Sequence, residues 1–238
     1  MAADETWLLA WDLSAPRGVL VLDGPGTTLH CEIAGASRVS HLFVAASELL
    51  SRAGIAPREL GLLGVGKGPG SFTGVRVAVT AAKVLADALS ITLLAPESLA
   101  VLAAGAGEEG EAVFAAIDAR RGEVYHALYC VDHGYPAVTM EPCAASPQSA
   151  AAYLHAWMQR EERGVVGVGS GIEAYREAWP EGMTLAGGEH PRAEGLAGLC
   201  RLACGRGETA DPLALLPFYL RRPDARERCG DVGGGGIC

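Results

Sequence analysis

The 238 residues carry a formal charge of −9 and are 50% apolar; that is enough apolar material for a sizeable core, and too acidic a balance for a chain that neutralises a nucleic-acid backbone by itself. Lys67 and Lys83 are the only lysines, and the one basic cluster, Arg221, Arg222, Arg226 and Arg228, is diluted by Asp224 and Glu227, so any RNA in this protein's work is expected to be held mainly by something else. Apolar runs such as Leu99–Ala104 are too short to span a bilayer, and the acidic opening from Met1 to Thr6 has neither secretory nor transit character, which makes a cytoplasmic location without membrane contact the expectation.

Residues 7–13 (WLLAWDL) read as a strand buried on both faces, followed by a tight turn over Ser14–Arg17. Residues 18–23 form a second strand, Asp23-Gly24-Pro25-Gly26 a turn, and residues 27–33 an alternating third strand. A helix over 38–53 follows, with Val39, Leu42, Phe43, Ala46, Leu49, Leu50 and Ala53 on one stripe and Gly54 as its stop. Then come a strand at 61–66, a helix from 73 to Leu89, a strand at 91–95 and a short helix at 97–106. Three antiparallel strands leading into αβ crossovers form the half-unit of the actin-like and ribonuclease-H-like folds, so the fold class is α/β with two such domains, an inference from fold analogy alone.

Gly105–Gly110 is the expected boundary, giving domains at 1–107 and 108–215 and an extension at 216–238. Beyond it, strands are expected at 112–118, 123–130, 136–140 and 164–169, with helices at 148–160, 171–178 and 193–205. This reads as a diverged second copy of the first unit, without a residue-level repeat. The seven cysteines are scattered with no CxxC pair, against a disulfide framework or zinc ribbon. Cys200 and Cys204 fall on one helix face as small core side chains, and Cys229 and Cys238 in a Gly-rich tail.

Gly61–Lys67 approaches a phosphate-binding P-loop but has Gly68 and Pro69 where the magnesium-binding hydroxyl is required. What remains is a Gly-rich loop ahead of a helix, in which Gly68, Gly70, Ser71 and Thr73 either form a structural turn or offer N–H groups to an anion. Asp12 and Ser14, at the end of the first strand, occupy the place where actin-like ATP-using proteins carry an aspartate and a phosphate turn; Pro16 removes a donor there. No histidine pair, HExxH or GxSxG pattern is present, so no metal, cofactor or catalytic residue is assigned. In the second long helix the polar residues Arg76, Thr80, Lys83 and Asp87 step by 4, 3 and 4 along a single stripe, and nearly everything else is small or apolar. Such a helix is expected to be covered on more than one side: on one by its own sheet, and on the other either by a second protein or by the rest of its own domain.

Four segments together, LLAWDLS (8–14), VGKGPGSFTGVRV (65–77), AIDARRGEVY (116–125) and PFYLRRPD (217–224), resemble the TsaB (YeaZ) family of bacterial threonylcarbamoyladenosine biosynthesis subunits. The resemblance implies a two-domain actin-like fold and a non-catalytic subunit. Its partners would be a TsaD-like catalytic subunit and a TsaE-like ATPase, in the transfer of a threonylcarbamoyl group to the tRNA adenosine beside the anticodon. It implies only indirect contact with tRNA, and a homodimer when the partner is absent. It also implies pairing through the first two helices, carried over here to Ser40, His41, Val44 and Glu48 of the first and to Arg76, Val77, Thr80, Ala81, Lys83, Val84, Asp87 and Ala88 of the second. Asp12-Leu13-Ser14 and Val39-Ser40-His41 depart from the family's usual Asp-Thr-Ser and His-Ser-Glu, which weakens retained nucleotide or ion binding. The competing reading is an ATP-dependent kinase or acyltransferase of the actin-like class, with Asp12 as its carboxylate; a peptidase finds no nucleophile or metal arrangement.

Overall fold

The computed structural model describes residues 5–34 and 38–221, of which 38–40 are described as backbone only. Cys229, Cys238 and the arginines from Arg222 onward lie outside the described residues, as do the side chain of Ser40 and most of the 216–238 extension. The first sheet has the order β3-β2-β1-β4-β5, from β1 (Trp7–Asp12), β2 (Gly18–Gly24), β3 (Thr27–Ile33), β4 (Leu60–Val65) and β5 (Thr92–Leu94). β1 pairs antiparallel with β2 and parallel with β4. The second sheet has the order β10-β9-β6-β7-β8, from β6 (Ala112–Arg120), β7 (Glu123–Asp132), β8 (Tyr135–Ala145), β9 (Val165–Val168) and β10 (Met183–Leu185). β6 stands in the place of β1, antiparallel to β7 and parallel to β9. The two sheets therefore repeat one topology strand for strand.

The helices follow the same repeat with one exchange. α1 (Arg38–Ala53) and α2 (Phe72–Leu89) cover the outer face of the first sheet, where Leu9, Trp11, Leu20, Leu22 and Leu63 meet Leu42, Leu49, Val75, Ala78 and Ala82. α4 (Pro147–Glu161) and α5 (Ser170–Ala174) pack on the second sheet. α3 (Ser98–Ala104), which follows the first sheet in the chain, lays Leu99, Leu102 and Ala103 against Val113, Ala115 and Tyr129 of the second. α6 (Ala193–Gly205), which follows the second sheet, lays Leu196, Leu199 and Cys200 against Leu8, Ala10, Val19 and Val21 of the first. β1 is thus buried on both faces because alternate residues meet different helices, as a run of apolar residues requires. Arg201 pins α6 in place: its guanidinium holds the Asp23 carboxylate at 2.7 Å and the Thr6 carbonyl at 2.8 Å.

This exchange cuts across the division at 1–107 and 108–215. The Gly105–Gly110 stretch does separate the two sheets along the chain, but the apolar side of α6 belongs to the first sheet's core. Cys200 is fully buried there and Cys204 packs beside it. The expected strands and helices stand within a few residues of their places, with three differences. β8 runs five residues past 140; the helix expected at 171–178 divides into α5 and a 3-10 turn at Arg176–Ala178; β10 and the 3-10 turn at Pro57–Glu59 were not legible.

Candidate functional site

α2 begins where Ser71 caps it, its hydroxyl accepting from the Gly74 N–H at 3.3 Å. The buried Trp11 indole donates to the Ala78 carbonyl at 3.1 Å, which fixes the helix to β1. Gly74, Val75, Ala78, Val79, Ala82 and Ala86 face the sheet. Arg76, Thr80 and Asp87 lie exposed on the opposite side, and Val84 (63% exposed), Phe72 (47%) and Ala88 share that side with them. On α1, Phe43 (44%) and Val44 (59%) are exposed beside His41 and Glu48. Between the two helices runs a groove of about 510 Å³, lined by Phe43, Phe72, Thr73, Arg76, Val77, Thr80, Ala81 and Val84. The guanidinium of Arg76 lies over the Phe72 ring, 5.1 Å from its centroid.

Of the residues expected on the pairing surface, Ala81 is buried and forms groove floor rather than rim. Lys83 is engaged within the chain: its ammonium donates to the Leu215 carbonyl at 2.9 Å and the Leu213 carbonyl at 3.3 Å. A cation that holds two backbone carbonyls is an anchor for that segment rather than an open contact. Two groove residues were missed. Phe43 reads as core from helical spacing but sits at the edge of the apolar stripe, and Phe72 is the first residue of α2, where periodicity has little to act on.

The Gly-rich loop is spent on internal contacts. The Gly68 N–H donates to Ser98 Oγ at 3.1 Å and the Gly68 carbonyl accepts from the Ser98 N–H at 2.8 Å. The Ser71 N–H donates to the Ser14 carbonyl at 2.7 Å. Gly68 and Ser71 therefore do not offer the free donors that an anion site at this helix start needs, which corrects that half of the alternative; Gly70 and Thr73 are left, and Thr73 faces the groove. At Gly70 an added Cβ would lie 2.5 Å from Ser14 Cβ, and at Gly66 one would lie 2.0 Å from Asp12 Oδ2. The glycines let the end of β4 and the start of α2 close over the β1 turn.

Asp12 is fully buried beneath that closure. Its Oδ1 accepts from the Ser14 N–H at 2.7 Å, while Oδ2 has no partner within hydrogen-bond distance. Burial pushes its carboxyl above the ordinary value of 3.8; the Ser14 and Ser98 hydroxyls temper that rise without reversing it. An acid with a raised pKa in the folded state penalises folding increasingly as pH rises from 3.8 to the folded-state value, fully above it, and not at all below 3.8, where both states are protonated. Asp12→Asn is therefore expected to raise the melting temperature at pH 7.5, and to lose that gain as pH approaches 4. Thermal unfolding at both pH values checks it; a lower melting temperature for the variant at pH 7.5 would show that the carboxylate is favourably held.

A second cavity of about 900 Å³ opens between the two sheets, lined among others by Ser14, Ser71, Asp118, Arg120, Arg121 and Tyr125. The β6–β7 turn enters it with Arg120 and Arg121 at left-handed φ of 63° and 56°. Asp118 Oδ1 steadies this turn by accepting from the Arg120 N–H at 2.9 Å and the Tyr175 hydroxyl at 3.3 Å. Asp12 does not line this cavity. Among the described residues, the group with metal-ligating side chains in mutual reach is Glu109, Asp132 and His133, all exposed, with the Glu109 carboxylate accepting the His133 and Gly134 N–H groups.

Two mixed five-stranded sheets in one repeated topology, with a helix exchanged between them, define an actin-like two-domain α/β protein. Residues 29–179 match the family model of TsaD, the tRNA N6-adenosine threonylcarbamoyltransferase. Along the chain, similarity extends to the tRNA threonylcarbamoyladenosine biosynthesis protein TsaB of Bacillus subtilis, 32% identical over 77% of this chain and 80% of that one. It extends also to TsaB of Escherichia coli, 30% identical over 90% and 94%. The solved structure of YeaZ from Pseudomonas aeruginosa superposes with a TM-score of 0.79 at 32% identity, covering 90% of this chain and all of that one. The chain belongs to the TsaB family of threonylcarbamoyladenosine biosynthesis proteins. Among the described residues no helix is long and apolar enough to cross a membrane.

Proposed function

We propose that this chain serves tRNA threonylcarbamoyladenosine synthesis as a non-catalytic subunit, binding a TsaD-like catalytic subunit through the α1–α2 face. The observation that carries this reading is that face itself. Phe43, Phe72 and Val84 are each at least 44% exposed on one groove, with Val44 exposed next to Phe43 on α1, and apolar surface of this kind marks a protein contact. The charge of −9, with only two lysines, supports leaving the tRNA mainly to the partner. In this reading a TsaE-like ATPase joins the complex, and a second copy of the chain takes the face when the catalytic subunit is absent.

Own catalysis is disfavoured by the burial of Asp12, which has no exposure to a ligand, and by the engagement of Gly68 and Ser71 in internal hydrogen bonds. The kinase or acyltransferase alternative needs both groups free. Gel filtration of the purified chain with the TsaD-like protein of the same genome tests the proposal. Co-elution at micromolar concentration is expected, and separate elution contradicts it.

A further inference from the structure

A cavity of about 410 Å³ is enclosed by the start of α3, by β7 and β8, by α6 and by the segment that follows α6. It shares no lining residue with the α1–α2 groove or with the cavity beside Asp118. The helix exchange creates it, since α6 of the first core and β8 of the second sheet meet across it. Its size falls in the range of small-molecule sites, roughly 300–1,000 Å³. Pro96, Ala100, Leu199 and Ala203 give it an apolar wall. Its charge is uneven: the carboxylates of Glu97, Glu141 and Glu208 stand against the single ammonium of Lys67.

One polar atom here is unsatisfied. Tyr129 lines the cavity at 1% exposure, and its Oη has no hydrogen-bond partner. Burial, and then the Glu97 and Glu141 carboxylates, hold its phenol above the ordinary value of 10.0, so the hydroxyl is neutral and its lone pairs are open to a donor. Both carboxylates that act on Oη line the cavity, which places that oxygen on the cavity side of the ring. The chain's own cations are engaged elsewhere. The Lys67 ammonium sits 3.3 Å from the Glu97 carboxylate and 5.8 Å from the centre of the Phe218 ring. Arg206 lies over the Tyr135 ring, 3.9 Å from its centroid. Among the described residues, no hydrogen bond or ion pair engages the Glu141 carboxylate.

We propose that this cavity binds a small organic ammonium. Its NH3+ group donates to Tyr129 Oη and is balanced by Glu97 and Glu141, while its alkyl part lies against Pro96, Ala100, Leu199 and Ala203. Such a ligand answers three features at once. It brings donors to an oxygen that has none, positive charge to an excess of carboxylates, and an apolar body to an apolar wall. An anion would meet the carboxylates unfavourably, and a bare metal ion would leave the apolar wall without a partner. The inference does not rest on the proposed function.

The test follows the amide chemical shifts of the 15N-labelled full chain at pH 7.5 as butylammonium chloride is added, with 1-butanol and sodium chloride as parallel titrations. Saturable shifts at residues 97–100, 129–141 and 199–209 are expected for butylammonium, with binding at least about fivefold tighter than that of 1-butanol. Tyr129→Phe, which keeps the ring, is expected to weaken butylammonium binding about tenfold. Glu141→Gln, at an exposed position, is expected to weaken it about threefold, and carries the comparison alone if Tyr129→Phe does not fold. The absence of saturable shifts at those residues overturns the proposal. So does equal binding of 1-butanol, which would make the cavity merely apolar, or equal saturation by sodium, which would make it an inorganic cation site. Unchanged affinity in either folded variant overturns it as well, since the ammonium would then sit elsewhere.

Discussion

Val84→Glu is expected to weaken the proposed association with a TsaD-like subunit by about thirtyfold or more and to leave the isolated chain's stability unchanged to within about 0.5 kcal/mol. Val84 is 63% exposed at the rim of the α1–α2 groove, so a carboxylate there is hydrated in the free chain and loses nothing. Covered by a partner, the same carboxylate is desolvated among Phe43, Val77 and Ala81, while the groove's own cation, Arg76, lies over the Phe72 ring. Lys83 is adjacent in sequence, but its ammonium is already held by the Leu213 and Leu215 carbonyls. Tyr153→Glu is the matched control, since Tyr153 is 68% exposed on α4 of the other unit. Equal losses from both variants would mean that added negative charge, rather than position, weakens binding.

Trp11→Ala destabilises the chain by about 4 kcal/mol, lowering its melting temperature by about 10 °C. Trp11 has no exposure, packs in the outer core of the first sheet, and donates from its indole to the Ala78 carbonyl at 3.1 Å. Its removal opens a cavity directly beneath α2 and deletes the polar tie from helix to strand. Trp11→Phe restores most of the volume without the donor, and its loss is expected to be closer to about 1 kcal/mol. Thermal or denaturant unfolding of the two variants separates the contributions. Equal losses would show that the hydrogen bond, not the packing, seats α2.

The element order was legible because β3 alternates and the two long helices carry a helical period, while β1 and β2 are short apolar runs bounded by turn signals. The double-sided burial of β1 follows from an unbroken apolar run, and it held. The exchange of α3 and α6 was not legible, since an apolar stripe states that a helix must be covered but not by which sheet. β10 has three residues and only partial burial, too little pattern to register. At the candidate site, the exposed stripe of Arg76, Thr80 and Asp87 was readable from spacing. The fate of Lys83 was not, because its partners are backbone carbonyls about 130 residues away, and backbone groups carry no sequence mark. The Gly-rich loop was ambiguous for the same reason: whether its N–H groups are free or taken depends on Ser14 and Ser98, which the fold brings to it.

The proposed role requires that another subunit cover the outward side of α2. Amide hydrogen exchange on the chain alone, and on the chain saturated with its TsaD-like partner, measures that cover directly. Added protection concentrated in peptides spanning 41–51 and 72–89 is the predicted result. Protection that appears only elsewhere, with both helices exchanging as they do in the free chain, would contradict it.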